Sequence, residues 1–163
     1  MALTKINNNT LSAITGLPAG VGGKVLQVVS DTTTDITTVA STSYTELTGL
    51  SVSITPSSTA NKIILIGSVS GRNFTEQNDA RVFFISFKRD TTTIYEKYAY
   101  EVHGGLGNNN RFVTPVQDLS FLDSPSSTSA LTYKIQMKVD NTASGTFAQA
   151  RTTTSLIAME VAG

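Results

Sequence analysis

The sequence predicts an all-β protein: a two-sheet antiparallel β-sandwich of jelly-roll type, carrying an extended amino-terminal arm. Three observations lead there. First, 25 Thr and 18 Ser make up about a quarter of the 163 residues, while only 15% are charged, below the roughly 25% usual in globular chains. Thr is β-branched and fits a pleated surface, and Ser belongs in turns. Second, apolar and polar residues alternate with period two in segment after segment, which marks half-buried strands. Third, turn signals fall between these segments at fairly regular spacing and no convincing helix interrupts them. Eight or nine strands in one domain of this length fit two packed sheets.

Residues 1–23 form the arm and residues 24–163 the sandwich. The arm contains Asn7-Asn8-Asn9 and the run Gly16-Leu17-Pro18-Ala19-Gly20-Val21-Gly22-Gly23, too rich in Gly and polar residues to build a core element. It carries spaced apolar residues, Leu3, Ile6, Leu11, Ile14 and Leu17. The Asn and Thr between them are poor helix formers. Such a segment is either a loose terminus or an extended docking arm ordered by another chain, and we read it as the arm.

The strands follow in order. Lys24–Ser30 opens the body, a Thr/Asp stretch from Asp31 to Asp35 separates it from a short strand at Ile36–Val39, and Tyr44–Thr48 leads into Gly49. Leu50, Val52 and Ile54 then alternate with Ser51, Ser53 and Thr55. Pro56–Thr59 turns the chain. Lys62–Ser70 is apolar on both faces near its start, as in a strand covered on both sides. Gly71–Ala80 reads as a polar loop, Arg81–Arg89 as a strong strand, and Ile94–Val102 as its return. His103–Asn110 is a Gly/Asn loop. Arg111–Leu122 is a strand with Pro115 at an edge or bulge. Leu131, Tyr133, Ile135, Met137 and Val139 alternate with polar residues more regularly than any other segment. Thr154–Val161 closes the body as a strand expected inside a sheet rather than at its edge.

Composition excludes several chemistries. There is no Cys and a single His, so no disulfide scaffold, thiolate zinc site or multi-His metal site can form. Twelve basic residues balance twelve acidic ones, which argues against gripping nucleic acid or anionic lipid; Arg72, Arg81, Arg89 and Arg111 are dispersed among acids. No apolar run is long enough to span a bilayer, and the first ten residues lack a secretory h-region. His103 beside Glu101 is the sole imidazole base, but no G-x-S-x-G elbow accompanies it. Gly104-Gly105-Leu106-Gly107 lacks the Lys-Ser/Thr of a phosphate loop. Asp118 and Asp123 are the acid pair to weigh for glycosidase chemistry, and Asp31 and Asp35 for calcium, though no D-x-D-x-D-G pattern occurs; turn and strand-edge acids are the commoner explanation of both. The expectation is a structural or binding module, without cofactor and without catalysis.

A resemblance sharpens this. Gly23-Lys24-Val25-Leu26-Gln27-Val28-Val29-Ser30, then Thr48-Gly49-Leu50-Ser51-Val52-Ser53-Ile54-Thr55-Pro56 and Lys62-Ile63-Ile64-Leu65, resembles a module of tailed bacteriophages of cyanobacteria and marine bacteria, found in small virion proteins and tail-fibre tips. The likeness covers residues 23–70; later strands agree in pattern only. It implies a jelly-roll-like fold, a homotrimer, and a place on a virion assembled in the host cytoplasm. Within it, a capsid decoration (cement) protein ranks above a fibre tip, because the chain has no repetitive shaft. The arm residues Leu3, Ile6, Leu11, Ile14 and Leu17 are then expected to grip the major capsid protein or another virion protein. Phe83, Phe84, Phe87, Tyr98 and Tyr100 are the expected trimer contacts. The alternative, a knob that binds a host-surface receptor or glycan, looks to Phe74, Tyr95 and Phe112.

Overall fold

The computed structural model describes residues 25–75, 81–102, 111–113, 116–142 and 147–163. The arm residues Leu3, Ile6, Leu11, Ile14 and Leu17, and His103 with its loop, lie outside them. The described residues form eleven strands and no helix: β1 (Val25–Thr33), β2 (Thr37–Val39), β3 (Thr45–Ile54), β4 (Lys62–Thr75), β5 (Arg81–Arg89), β6 (Thr92–Val102), β7 (Arg111–Val113), β8 (Val116–Asp123), β9 (Leu131–Val139), β10 (Phe147–Ala150) and β11 (Thr154–Val161). All pairings are antiparallel.

Sheet 1 is organised around β4. Its first half pairs with β11 on one side and β8 on the other; its second half pairs with β10 and β7 in the same way. β1 then pairs with β11 and β2 with β10. Three tandem pairs (β1/β2, β7/β8, β10/β11) therefore each occupy one strand position. Sheet 2 has the order β3-β9-β5-β6. Counted by position, the sheets read 1-8-3-6 and 2-7-4-5, the eight-position double Greek key of a jelly roll. The expected sandwich is present, and β11 lies inside sheet 1 as anticipated.

The core fills the space between the sheets. Phe83, Ile85 and Phe87 of β5 and Tyr133, Ile135, Met137 and Val139 of β9 meet Ile63, Leu65 and Val69 of β4, Leu119 of β8 and Leu156 and Ala158 of β11. Gly67 is what seats the rings: a Cβ there would stand 2.7 Å from Ile135 Cδ1 and 3.1 Å from Phe87 Cε1. Gly71 marks the point where β4 passes from β11 to β10, and a Cβ there would come 2.2 Å from the Gln149 carbonyl oxygen.

Four strand expectations need correcting. β4 runs on through Thr75, so Gly71–Thr75 is strand rather than loop; its polar side chains hid a backbone flanked by β10 and β7. β1 continues through Asp31–Thr33 because β11 pairs with it to that point. β3 passes through Gly49 without a break, absorbing an irregularity in register between Glu46 and Ser51. Finally, β4 is not covered on both faces: Ile63 and Leu65 are fully buried, yet Ile66 is 41% exposed.

Candidate interaction surfaces

One end of the sandwich is held by two buried carboxylates in a single cross-strand row, Gln27–Glu160–Ile63–Asp123. Glu160 is 1% exposed, and among the described residues no cation pairs with it. Its Oε1 accepts from the Ser57 amide (2.7 Å), the Ser57 hydroxyl (2.8 Å) and Asn61 Nδ2 (2.6 Å), and its Oε2 from Gln27 Nε2 (2.6 Å). Burial pushes this carboxyl up, but the donors outweigh burial and hold it at about 2. Asp123 accepts two bonds from Arg89 Nη1, both 2.8 Å, and one of 2.7 Å from the Tyr133 hydroxyl. Burial first, and the Asp123 carboxylate second, push the Tyr133 phenol well above its ordinary value. All four oxygens of the two carboxylates point at partners within the chain, which is the signature of a fastener. The row also fixes β1 two residues after Val25, where residues 1–24 enter.

The outer face of sheet 2 is covered by its own long side chains. Lys88 and Lys134, neighbours across β5 and β9, both bind Glu46 at 2.7 Å, and hydrogen bonds from Lys134 and then Lys88 lower the Glu46 carboxyl. Lys138 pairs with Glu96 at 3.0 Å and lies over the Tyr44 and Phe84 rings, 4.5 and 4.7 Å from their centroids. The Tyr44 hydroxyl donates to Glu96 as well, and it and Lys138 lower that carboxyl. Gln136 donates to Thr93 Oγ1 at 2.6 Å. Beneath this layer Ser86 and Gln136 are buried although they face outward.

The outer face of sheet 1 is different. One row across its four strands reads Val28–Met159–Ile64–Leu122, and the next reads Ser30–Ile157–Ile66–Ser120. Val25 and Val161 pair at the edge of the first. Val25, Leu26, Val28, Ile66 and Leu122 are between 41% and 56% exposed. No described residue lies over them.

The aromatic residues expected at a trimer contact divide between the two sides of sheet 2. Phe83 and Phe87 are 2% and 0% exposed and face sheet 1; their surface is already occupied by the core, so they have none to offer a partner. Phe84 and Tyr98 stand on the outer face, edge to ring with centroids 6.0 Å apart. Tyr100 pairs with Phe83 through its backbone, and its side chain lies outside the described residues, as do those of Glu101, Phe74 and Phe112. Tyr95, considered for glycan stacking, is instead stacked on Phe121 at 5.1 Å and packs against the core. Asp118 and Asp123 sit on opposite faces of β8, exposed and buried respectively, and do not converge. Asp31 uses both oxygens on backbone amides, of Thr32 (2.8 Å) and Ser51 (2.9 Å). Among the described residues no three His, Asp or Glu gather as a metal site. A recess of about 280 Å3 opens at the β3 irregularity beside Glu46, Thr48, Ser51 and Lys134; its two charges are bound to each other.

Sequence reasoning noted that β4 is apolar on both faces near its start but drew no surface from it, although a further signal was present in β11. Ile63–Ile66 is apolar at four successive positions, and Ile157 and Met159 intervene between Leu156, Ala158 and Glu160. A strand apolar on both faces needs two covers, and the sandwich supplies one.

No protein-family model matches the sequence, and no curated protein matches it. Solved structures are similar in part. The VP2 subviral particle of infectious bursal disease virus aligns with a TM-score of 0.45 and 11% identity over 84% of this chain and 33% of that one. The structure of the Gx strain of that virus gives 0.40 and 9% over 85% and 34%, and T=1 particles derived from infectious bursal virus give 0.37 and 12% over 84% and 36%. The chain spans about a third of the length of each.

Proposed function

We propose that this chain is a structural virion protein, a homotrimeric decoration protein that ties neighbouring shell subunits of a tailed-bacteriophage capsid together. The observation that carries the reading is the unequal finish of the two broad faces: a jelly roll with one face sealed by its own charges and one left apolar is built to be part of something larger. The architecture alone serves both capsid and lectin domains and does not choose between them. The sequence resemblance of residues 23–70 favours decoration. The buried carboxylates are consumed by structural bonds, which fits a protein that does no chemistry.

The mechanism is mechanical. Leu3, Ile6, Leu11, Ile14 and Leu17 enter pockets on the shell subunits, and the backbone between them adds to exposed strand edges. Three arms on one trimer raise the effective concentration of the second and third once the first is bound. The work needed to separate shell subunits against internal pressure rises accordingly. The test is to add purified protein to capsids that lack it. Saturation at hundreds of copies per particle, with loss of binding on deleting residues 1–22, is the expected result. Occupancy of a few tens confined to the tail, or binding unchanged by the deletion, overturns the reading.

A further inference from the structure

We infer that the outer face of sheet 1 is the surface through which copies of this chain associate, and that the outer face of sheet 2 stays in solvent. The number of copies rests on the trimer reading above; the choice of face does not.

The argument starts from area. Val25, Leu26, Val28, Ile66 and Leu122 are about half exposed, and Ile64, Ile157, Met159 and Val161 are partly so. Together they leave on the order of 500 Å2 of apolar surface, near the top of what a monomer commonly leaves bare, roughly 300–600 Å2. The hydroxyl row Thr32–Ser155–Ser68 borders them. With it the face approaches the roughly 800 Å2 per partner of a stable interface.

Charge selects the occupant. Among the described residues, the rows from Lys62 to Ser68 carry two charged side chains, Lys62 at the start of β4 and Asp118, which pairs with Ser68; Arg72 stands further along the same side of β4, half-buried over the Phe147 ring. Lys62 and Asp118 are opposite in sign, at opposite ends of these rows, and both exposed. A second copy therefore brings a matching neutral surface with complementary rim charges, and no like-charge cluster opposes contact. Within these rows a strongly basic or acidic partner meets a single opposite charge, and the recess lined by Arg72 and Arg151 lies beyond them. On sheet 2 the opposite holds: docking a copy there requires stripping water from three ion pairs already satisfied within the chain.

Position agrees. Val25 and Leu26 stand at one edge of the apolar rows, and the preceding residues enter there. Association through this face gathers the entry points of several arms on one side of the assembly.

Light scattering of the full chain at micromolar concentration tests this, with the double variant Ile66→Lys/Leu122→Lys and, as control, Phe84→Ser/Tyr98→Ser. All four side chains are at least partly exposed, and circular dichroism verifies that each variant is folded. The expected wild-type mass is about 52 kDa, three times the 17.3 kDa chain, falling threefold in the sheet 1 variant and unchanged in the sheet 2 variant. A wild-type oligomer that survives the sheet 1 changes overturns the inference while leaving the trimer standing. A wild-type monomer overturns both. Hydrogen exchange gives an independent readout should the double variant misfold: protection of residues 62–66 and 155–161 in the wild type must rise with protein concentration. Protection that does not change with concentration but is lost on deleting residues 1–22 identifies the chain's own arm as the cover and also overturns the inference.

Discussion

The two broad faces of this sandwich are built from strands of similar length in the same jelly-roll frame, yet they end in different chemistry. On sheet 2, outward positions carry Lys88, Lys134, Lys138, Glu46 and Glu96, which lie down over the strands and bind one another. On sheet 1, equivalent positions carry Val28, Ile64, Ile66, Leu122, Ile157 and Met159. Five of the chain's 24 charged residues suffice to seal the sheet 2 face. An exposed apolar residue by itself means little; four apolar residues in register across four strands form a surface.

The largest effects come from changes to the frame that both faces share. Arg89→Ala leaves the Asp123 carboxylate buried with only the Tyr133 hydroxyl, and we expect a loss of about 3–5 kcal/mol, measured by urea denaturation. Gly67→Val forces an isopropyl group into the space of Ile135 and Phe87, where a Cβ alone already stands 2.7 and 3.1 Å from them, and is expected to cost about 1–3 kcal/mol.

Glu160→Ala strips Gln27, Ser57 and Asn61 of a common acceptor, for an expected cost of about 1–3 kcal/mol. It also predicts the pH response. The folded value of about 2 lies below the ordinary 4.5, so the contribution of Glu160 is complete above about pH 4.5 and is lost as pH falls towards 2. Melting temperature is therefore expected to drop through that window in the wild type, and to drop less steeply in Glu160→Gln.

Smaller effects separate the faces themselves. Glu46→Gln removes the acid that holds Lys88 and Lys134 together; these groups are partly exposed, so the expected loss is below about 1 kcal/mol and shrinks as salt is added. Ile66→Ser is expected to change unfolding of the isolated chain by about 0.5 kcal/mol or less. A large stability loss from Ile66→Ser in a monomeric sample contradicts the contrast drawn between the faces.

Much of the frame was legible in the sequence because period-two alternation reports directly on a half-buried strand. The strand Leu131–Val139 appears with the bounds its alternation predicts. The expected break at Gly71 failed for an identifiable reason. Arg72, Asn73 and Thr75 are polar, but strand character there comes from backbone pairing to β10 and β7, which side-chain chemistry does not announce. The fasteners at Glu160 and Asp123 were equally hidden. Their partners lie 10 to 133 positions away in the chain, a separation that only the folded topology closes.

Reading aromatic residues as interface residues did not separate core from surface. Phe83 and Phe87 are large and apolar because they fill the core, and Phe84 is shielded by Lys138. The aliphatic rows of sheet 1 were visible as residues but not as a surface, since their coherence depends on register between β1, β11, β4 and β8. Register across four strands from distant parts of the chain cannot be deduced from alternation within each.

Hydroxyl-radical footprinting of the assembled protein, compared with the same protein diluted until dissociated, addresses the contrast between the faces most directly. Met159 and Leu122 are expected to lose reactivity on assembly, while Tyr98 and Tyr44 keep theirs. Protection of Tyr98 and Tyr44, with Met159 and Leu122 reacting as freely as in the dilute sample, would contradict the account.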